Sequence, residues 1–173
     1  MAESESSVAP EGPPAGEWTE LHPRVVTRWR LEYLTDIAML VVPLVVAELV
    51  ARNADWLGSV PAFVVPGAVA VIGLVAAIVV PPVQHRRWRY RLADDALEIR
   101  RGVIVERRSV VPYRRVQQVD LARGPLDRLF GLVRAELTTA AATTDGSIPG
   151  LTPDSAEAFR TLVLARAGLD DAV

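Results

Sequence analysis

Between Val60 and Val80 the chain reads VPAFVVPGAVAVIGLVAAIVV, twenty-one residues without a charge. At about 1.5 Å of rise per residue, a helix of that length reaches across a hydrocarbon core roughly 30 Å thick. A core helix of a soluble protein keeps one polar face for water, and this run has none. It therefore predicts a transmembrane span. Pro61 and Pro66 fall in its first third, where a kink is tolerated in lipid, and Pro81 with Pro82 is expected to end it.

A second span is predicted over Leu31 to Val50. Its uncharged stretch, Ile37 to Ala47, is too short alone and must extend through Tyr33 and Asp36 at one end and Glu48 at the other. Carboxylates at mid-bilayer cost several kcal/mol each, so these acids are expected at headgroup level or facing the partner helix. The short connector, Ala51 to Ser59, makes the helices antiparallel neighbours. Arg24, Arg28 and Arg30 precede the first span and Arg86, Arg87, Arg89 and Arg91 follow the second, whereas the connector carries Arg52 alone. The positive-inside rule then places both termini in the cytoplasm, as a multi-pass protein of the cell membrane. Trp29, Tyr33, Trp56, Trp88 and Tyr90 are expected in interfacial aromatic belts.

The domain plan follows. Residues 1–23, rich in Ser, Glu, Pro and Gly, predict a disordered cytoplasmic tail, not a cleaved signal peptide, because the apolar segment starts late behind an acidic lead. Residues 24–82 form the membrane hairpin, with spans near 31–50 and 60–80. Residues 83–168 form a cytoplasmic domain, and 169–173 a tail.

In the cytoplasmic portion the apolar runs shorten and turn signals crowd together, which predicts short antiparallel strands. They are expected at Trp88–Leu92, Ala96–Arg100, Val103–Val111 and Arg115–Leu121, with a turn at Asp94-Asp95 and a tight reversal at Gly102. Gly124-Pro125 opens a helical turn, Leu126–Phe130, which Gly131 ends as a left-handed cap. Val133, Ala135 and Leu137 alternate with Arg134, Glu136 and Thr138, marking a half-buried strand. Thr139 to Thr144 extends it, Asp145-Gly146 reads as a hairpin turn, and Ile148 sits in the return strand. A final helix starts with Thr152 as N-cap and Pro153 at its first position, buries Ala156, Phe159, Leu162 and Val163, and stops at Gly168. Six or seven strands and one terminal helix make a strongly bent antiparallel sheet, or barrel, capped by that helix.

The segments RYRLADDALEIRRG, VPYRRVQQV, GPLDRLFGL and AELTTA, coming after a two-helix hairpin, resemble the bacterial pleckstrin-homology membrane proteins of the YdbS-like kind. The resemblance covers the hairpin and about 80 residues of the domain. It implies a pleckstrin-homology-like fold on a membrane anchor, with no catalytic residues assigned. Pro112, Tyr113, Arg114, Arg115, Val116 and Gln117 match its most recognisable segment. Phe130 and Gly131 match too, and packing under the sheet and a helix stop account for them.

All nineteen basic residues are arginine, and there is no cysteine, so disulfides, thiolate catalysis and cysteine-ligated metal are excluded. His22 and His85 lie in different segments without metal-ligand spacing. From Arg86 to Arg115 ten arginines stand against four acids, in a chain of net charge −2. Near an anionic leaflet each contributes about 1 kcal/mol, falling off within a Debye length. Arg86, Arg87, Arg89 and Arg91 are the candidates for headgroup contact. Arg107, Arg108, Arg114 and Arg115 are candidates for an anion-binding or partner surface, although on strands such pairs point to opposite faces.

No phosphate loop, dinucleotide fingerprint, nucleophile elbow or metal motif is present, and Asp120 has no evident catalytic partner. No cofactor, metal site or catalytic residue is expected. Nucleic acid is not an expected partner either, for want of a recognition helix or stacking platform. The expectation is a non-enzymatic membrane-anchored adaptor. It binds the lipid bilayer and a protein partner, either a copy of itself or a related membrane protein from a neighbouring gene. The alternative is a sensor of anionic lipid headgroups acting through the arginines.

Overall fold

A computed structural model describes residues 16–54, 61–139 and 146–169. The chain divides into two units, one of Val26–Val83 and the other joining the segment up to Val25 with Gln84 onward.

The first unit holds most of two long helices, α1 (Arg24–Asn53) and α2 (Val64–Arg87). Met39 is 78% exposed and Ile72 70%, and Val42, Leu49, Val71 and Leu74 are exposed with them. So much open apolar surface is incompatible with water and fits a lipid solvent. Pro43 lies within α1 and Pro81 with Pro82 within α2. The stop expected at Pro81-Pro82 is corrected, because α2 continues to Arg87. A proline lacks its own N–H, but the residues that follow it still find carbonyl acceptors upstream.

The two helices approach closely where a Cβ on Gly73 would lie 2.6 Å from Cγ1 of Ile37. Small residues allow such contact between apolar helices in lipid. Glu48, one of the acids expected near a span end, is satisfied within the hairpin. Its Oε1 accepts from Nε and Nη2 of Arg52, at 3.0 and 2.8 Å, and from the backbone N of Phe63 at 2.6 Å. Trp56 and most of the connector lie outside the described residues.

The second unit is built on two antiparallel sheets. Strands β1 (Trp18–Glu20), β2 (Arg89–Leu92), β3 (Ala96–Arg101) and β4 (Arg107–Pro112) form one, in that order. A 3-10 turn, Tyr113–Arg115, leads to the other, formed by β5 (Val116–Ala122), β6 (Val133–Thr139) and β7 (Gly146–Leu151). A short helix α3 (Pro125–Phe130) joins β5 to β6, and α4 (Pro153–Ala167) closes the unit. The β6–β7 connection, with Thr143, Thr144 and Asp145, lies outside the described residues.

Local signals mark these elements as the sequence predicts. Thr152 Oγ1 accepts from Ser155 N at 3.3 Å at the start of α4, and Gly168 ends it at φ 72°. Gly131 ends α3 at φ 65°. Apolar residues alternate inward along Tyr90 and Leu92, Leu97 and Ile99, and Val133, Ala135 and Leu137. Ala156, Phe159 and Val163 of α4 are fully buried, with Phe159 edge-on to Tyr90 at 6.3 Å between ring centroids.

Four expectations are corrected. Trp88 and Tyr90 belong to this core and not to an interfacial belt, since they are 4% and 2% exposed. The disordered tail expected through residue 23 gives way at Trp18–Glu20, which pair with β2 and so begin the domain ahead of α1. The strand expected from Val103 begins only at Arg107, because Gly102, at φ 124°, opens a loop over residues 102–106. Phe130 is half-buried, and the residue sealed beneath that corner is Leu132.

Candidate functional site

The arginines of β2, β3 and β4 sort by strand register. Glu20 pairs with Arg89, Arg89 with Arg100 and Arg100 with Arg108, so these four side chains form a row across one face of the sheet. Directly opposed like charges are destabilising unless compensated. Compensation is local here. Arg89 donates to Glu20 at 2.7 Å, Arg91 to Glu98 at 2.7 Å, and Arg108 to Glu106 at 2.9 Å. Trp18 lies beneath the guanidinium carbons of Arg100 and Arg91, at 4.2 and 5.0 Å from its ring centroid. The hydrogen bond from Arg108, and then its charge, hold the Glu106 carboxyl below the usual carboxylate range, with Arg100 and Arg87 adding to the effect.

Register also separates the consecutive pairs. Arg101 and Arg107 oppose one another on the other side of the pleat. With Gln84, Trp88, Gly102 and Val105 they line a recess of about 300 Å³ at one end of the sheet. Arg87 reaches the same end, donating to the Val103 carbonyl at 3.0 Å. Arg86 and Arg107 are exposed and make no ion pair or hydrogen bond among the described residues. The candidate headgroup set is thus divided: Arg86 is open, Arg87 is committed to the loop, and Arg89 and Arg91 are ion-paired.

The opposite end of β3 carries a second recess. β3 spans Ala96 to Arg101, so the two ends are about 17 Å apart at 3.3 Å per residue. Asp94, Asp95, Ala96, Pro112, Tyr113, Arg114 and Arg166 line it, enclosing about 410 Å³. Tyr113 is held there by its backbone N donating to the Asp95 carbonyl at 3.1 Å. Arg166, arriving from α4, donates to the Ala93 carbonyl at 2.5 Å and to the Tyr113 hydroxyl at 3.3 Å, with its guanidinium over the Tyr113 ring. Burial pushes the Tyr113 phenol up, and the Arg166 hydrogen bond partly opposes that shift. Arg114 and Arg115 stand at the adjoining 3-10 turn, exposed and without an ion pair or hydrogen bond among the described residues.

The structure therefore parts Arg107 and Arg108 from Arg114 and Arg115, which do not form one surface. Arg166 belongs to the recess and was missed in the sequence, because nothing local ties the end of α4 to the β2–β3 turn. Both histidines serve the backbone. His22 Nδ1 accepts from Arg24 N at 3.2 Å, and His85 Nε2 donates to the Leu21 carbonyl at 2.9 Å. Asp120 is exposed and accepts from the Gln118 amide at 2.6 Å.

Comparison with known proteins agrees with this architecture. The profile of the family described as Bacterial PH domain matches residues 37–167. The UPF0699 transmembrane protein YdbS of Bacillus subtilis (strain 168) is 31% identical over 157 residues, covering 88% of this chain and 95% of that relative. The UPF0699 transmembrane protein YdbT of the same organism is 32% identical over 78 residues, 43% of this chain and 15% of that protein. No solved structure matches. With its two apolar helices and its antiparallel sheets closed by α4, this membrane protein belongs to the bacterial PH domain family.

Proposed function

We propose that the chain is a non-enzymatic adaptor whose PH domain holds an acidic segment of a protein partner at the inner face of the membrane. The observation that carries this reading is the pair Arg114 and Arg115, exposed and unengaged among the described residues, beside the Arg166–Tyr113 recess. Guanidinium groups free of internal carboxylates are suited to bidentate contact with those of another chain. The turn they occupy lies at the opposite end of β3 from the loop that Arg87 contacts.

Strand pairing supports a two-pass topology. β1 precedes both apolar helices and β2 follows them, yet the two share one sheet, and a folded sheet does not straddle a bilayer. Both flanks of the hairpin therefore lie on one side, and the arginine excess of those flanks over the connector points to the cytoplasm. A related membrane protein is a suitable partner. YdbS and YdbT, two transmembrane proteins of one organism, both resemble this chain. The headgroup-sensing alternative has less support, since Arg89, Arg91 and Arg108 are already ion-paired.

The test is site-directed photo-crosslinking of the full chain in native membranes, with the crosslinker at position 115. A discrete protein adduct is expected, lost on Arg114→Glu and retained on Arg128→Glu. An adduct indifferent to Arg114→Glu, or lipid adducts alone, would end this reading.

A further inference from the structure

The loop between β3 and β4 presents apolar side chains with nothing over them. Ile104 is 95% exposed and Val105 68%. A single exposed aliphatic residue needs no explanation, but adjacent ones at a loop tip rimmed by charged residues are the pattern of a protein or membrane contact. The loop is also sharply shaped. Gly102 sits at φ 124°, and a Cβ there would lie 1.9 Å from the Val105 carbonyl oxygen, so this reversal requires glycine.

Two observations identify what covers the tip. The first is attachment: Arg87, the last residue of α2, donates to the Val103 carbonyl at 3.0 Å. Arg87 is four residues beyond Val83, the last apolar residue of the span, which is about 6 Å of helix. The loop is thus pinned to the helix just where it leaves the hydrocarbon. The second is charge. Arg107, exposed and unengaged among the described residues, follows the loop, and Arg86, likewise exposed, precedes the Arg87 that pins it, while Glu106 is taken up by Arg108. An apolar tip beside exposed arginines, bonded to the last residue of α2, matches an anionic leaflet in both of its layers.

We propose that residues 103–105 form a membrane wedge, in which Ile104 and Val105 enter the headgroup and acyl boundary of the leaflet from which α2 emerges. Arg86 and Arg107 contact the phosphates above them. The wedge gives the PH domain a third point of membrane attachment beside the two helices. It does not depend on the adaptor reading, which concerns the other end of the sheet.

The chain has no cysteine, so Ile104→Cys in the full-length protein accepts a single environment-sensitive fluorophore. The protein is placed in nanodiscs of phosphatidylcholine and phosphatidylglycerol, with Asp95→Cys, on the turn at the opposite end of β3, labelled in parallel. The expected result is blue-shifted emission at 104, quenched at least about twofold by lipids brominated near the carbonyl end of the acyl chain. The probe at 95 reports water and is not quenched. Water-like emission at 104 overturns the proposal. So does a blue shift without lipid quenching that comes with energy transfer between labelled chains, because it assigns the patch to a second copy. Val105→Cys, labelled the same way, guards against a local effect of the first substitution and is expected to be quenched as well.

Discussion

Trp18 is paired with Arg91 across the β1–β2 ladder, although both apolar helices lie between them in sequence. The membrane hairpin is therefore an insertion within the PH domain, between its first and second strands, and not a leader to it. A chain lacking residues 16–25 would leave β2 as a bare edge strand and remove buried Leu21 and Val25, which are 2% and 0% exposed. Residues 84–169 alone are expected to aggregate or remain partly unfolded. Residues 16–25 joined to them by a short Gly-Ser linker are expected to fold without detergent, as judged by a cooperative thermal transition. Equal cooperativity of the two would show that β1 is dispensable.

Trp18 also carries the stacks on Arg100 and Arg91. Trp18→Ala should lower the stability of the domain by about 1–2 kcal/mol, two partly exposed cation–π contacts. Trp18→Phe should recover part of that loss. Urea denaturation of the linked domain reads both, and a change below about 0.3 kcal/mol in the alanine variant would mean the stacks contribute little.

At Gly102, alanine meets the Val105 carbonyl as well as an unfavourable φ. Gly102→Ala is expected to cost about 2 kcal/mol or more and to expose the β3–β4 loop to protease. Gly16, also at positive φ but with open space around its Cβ, should tolerate alanine at a smaller cost. Limited proteolysis of the two variants compares them directly.

Burial pushes the Tyr90 phenol from its ordinary value near 10 up to about 12. The folded chain then keeps a proton that the unfolded chain releases. This contribution is fully present below pH 10 and is lost as the pH rises through about 12. Stability should fall across that window, and Tyr90→Phe should flatten the fall without abolishing it, since Tyr113 is shifted in the same direction. Denaturation midpoints measured from pH 9 to 12 test this. Identical slopes for the two proteins would exclude Tyr90 as a source.

Gly73→Leu should force the two spans apart, because the space beyond Gly73 is filled by Ile37. A cysteine pair at positions 37 and 73 is expected to crosslink readily in detergent. With leucine at 73, a reporter pair one helical turn away should crosslink several-fold less. Unchanged crosslinking would mean that the helices do not rely on this approach.

Much of this protein was decided locally. A charge-free run such as Val60–Val80 needs no tertiary partner to declare itself, because lipid compatibility depends on each residue's own transfer free energy. Thr152 with Pro153, Gly131 and Gly168 were legible for the same reason: caps satisfy backbone groups within a few residues. The alternation of β6 marked its buried face before any neighbouring strand was known.

What tertiary structure alone decided is everything that depends on pairing between distant segments. Trp18–Glu20 is too short to show a period, and it becomes a strand only because β2 offers it a ladder. The arginines between 86 and 115 look like a single cluster in the sequence. Register divides them into an ion-paired face, a recess at the Gly102 end of β3 and a second at the Tyr113 end, since adjacent strand residues point apart and the neutralising acids Glu20, Glu98 and Glu106 come from three different places. Arg166 joins Tyr113 from the far end of the chain. Hydropathy is a property of each residue and survives in the one-dimensional string, whereas an arginine's role is set by which carboxylate, ring or lipid phosphate the fold brings to it.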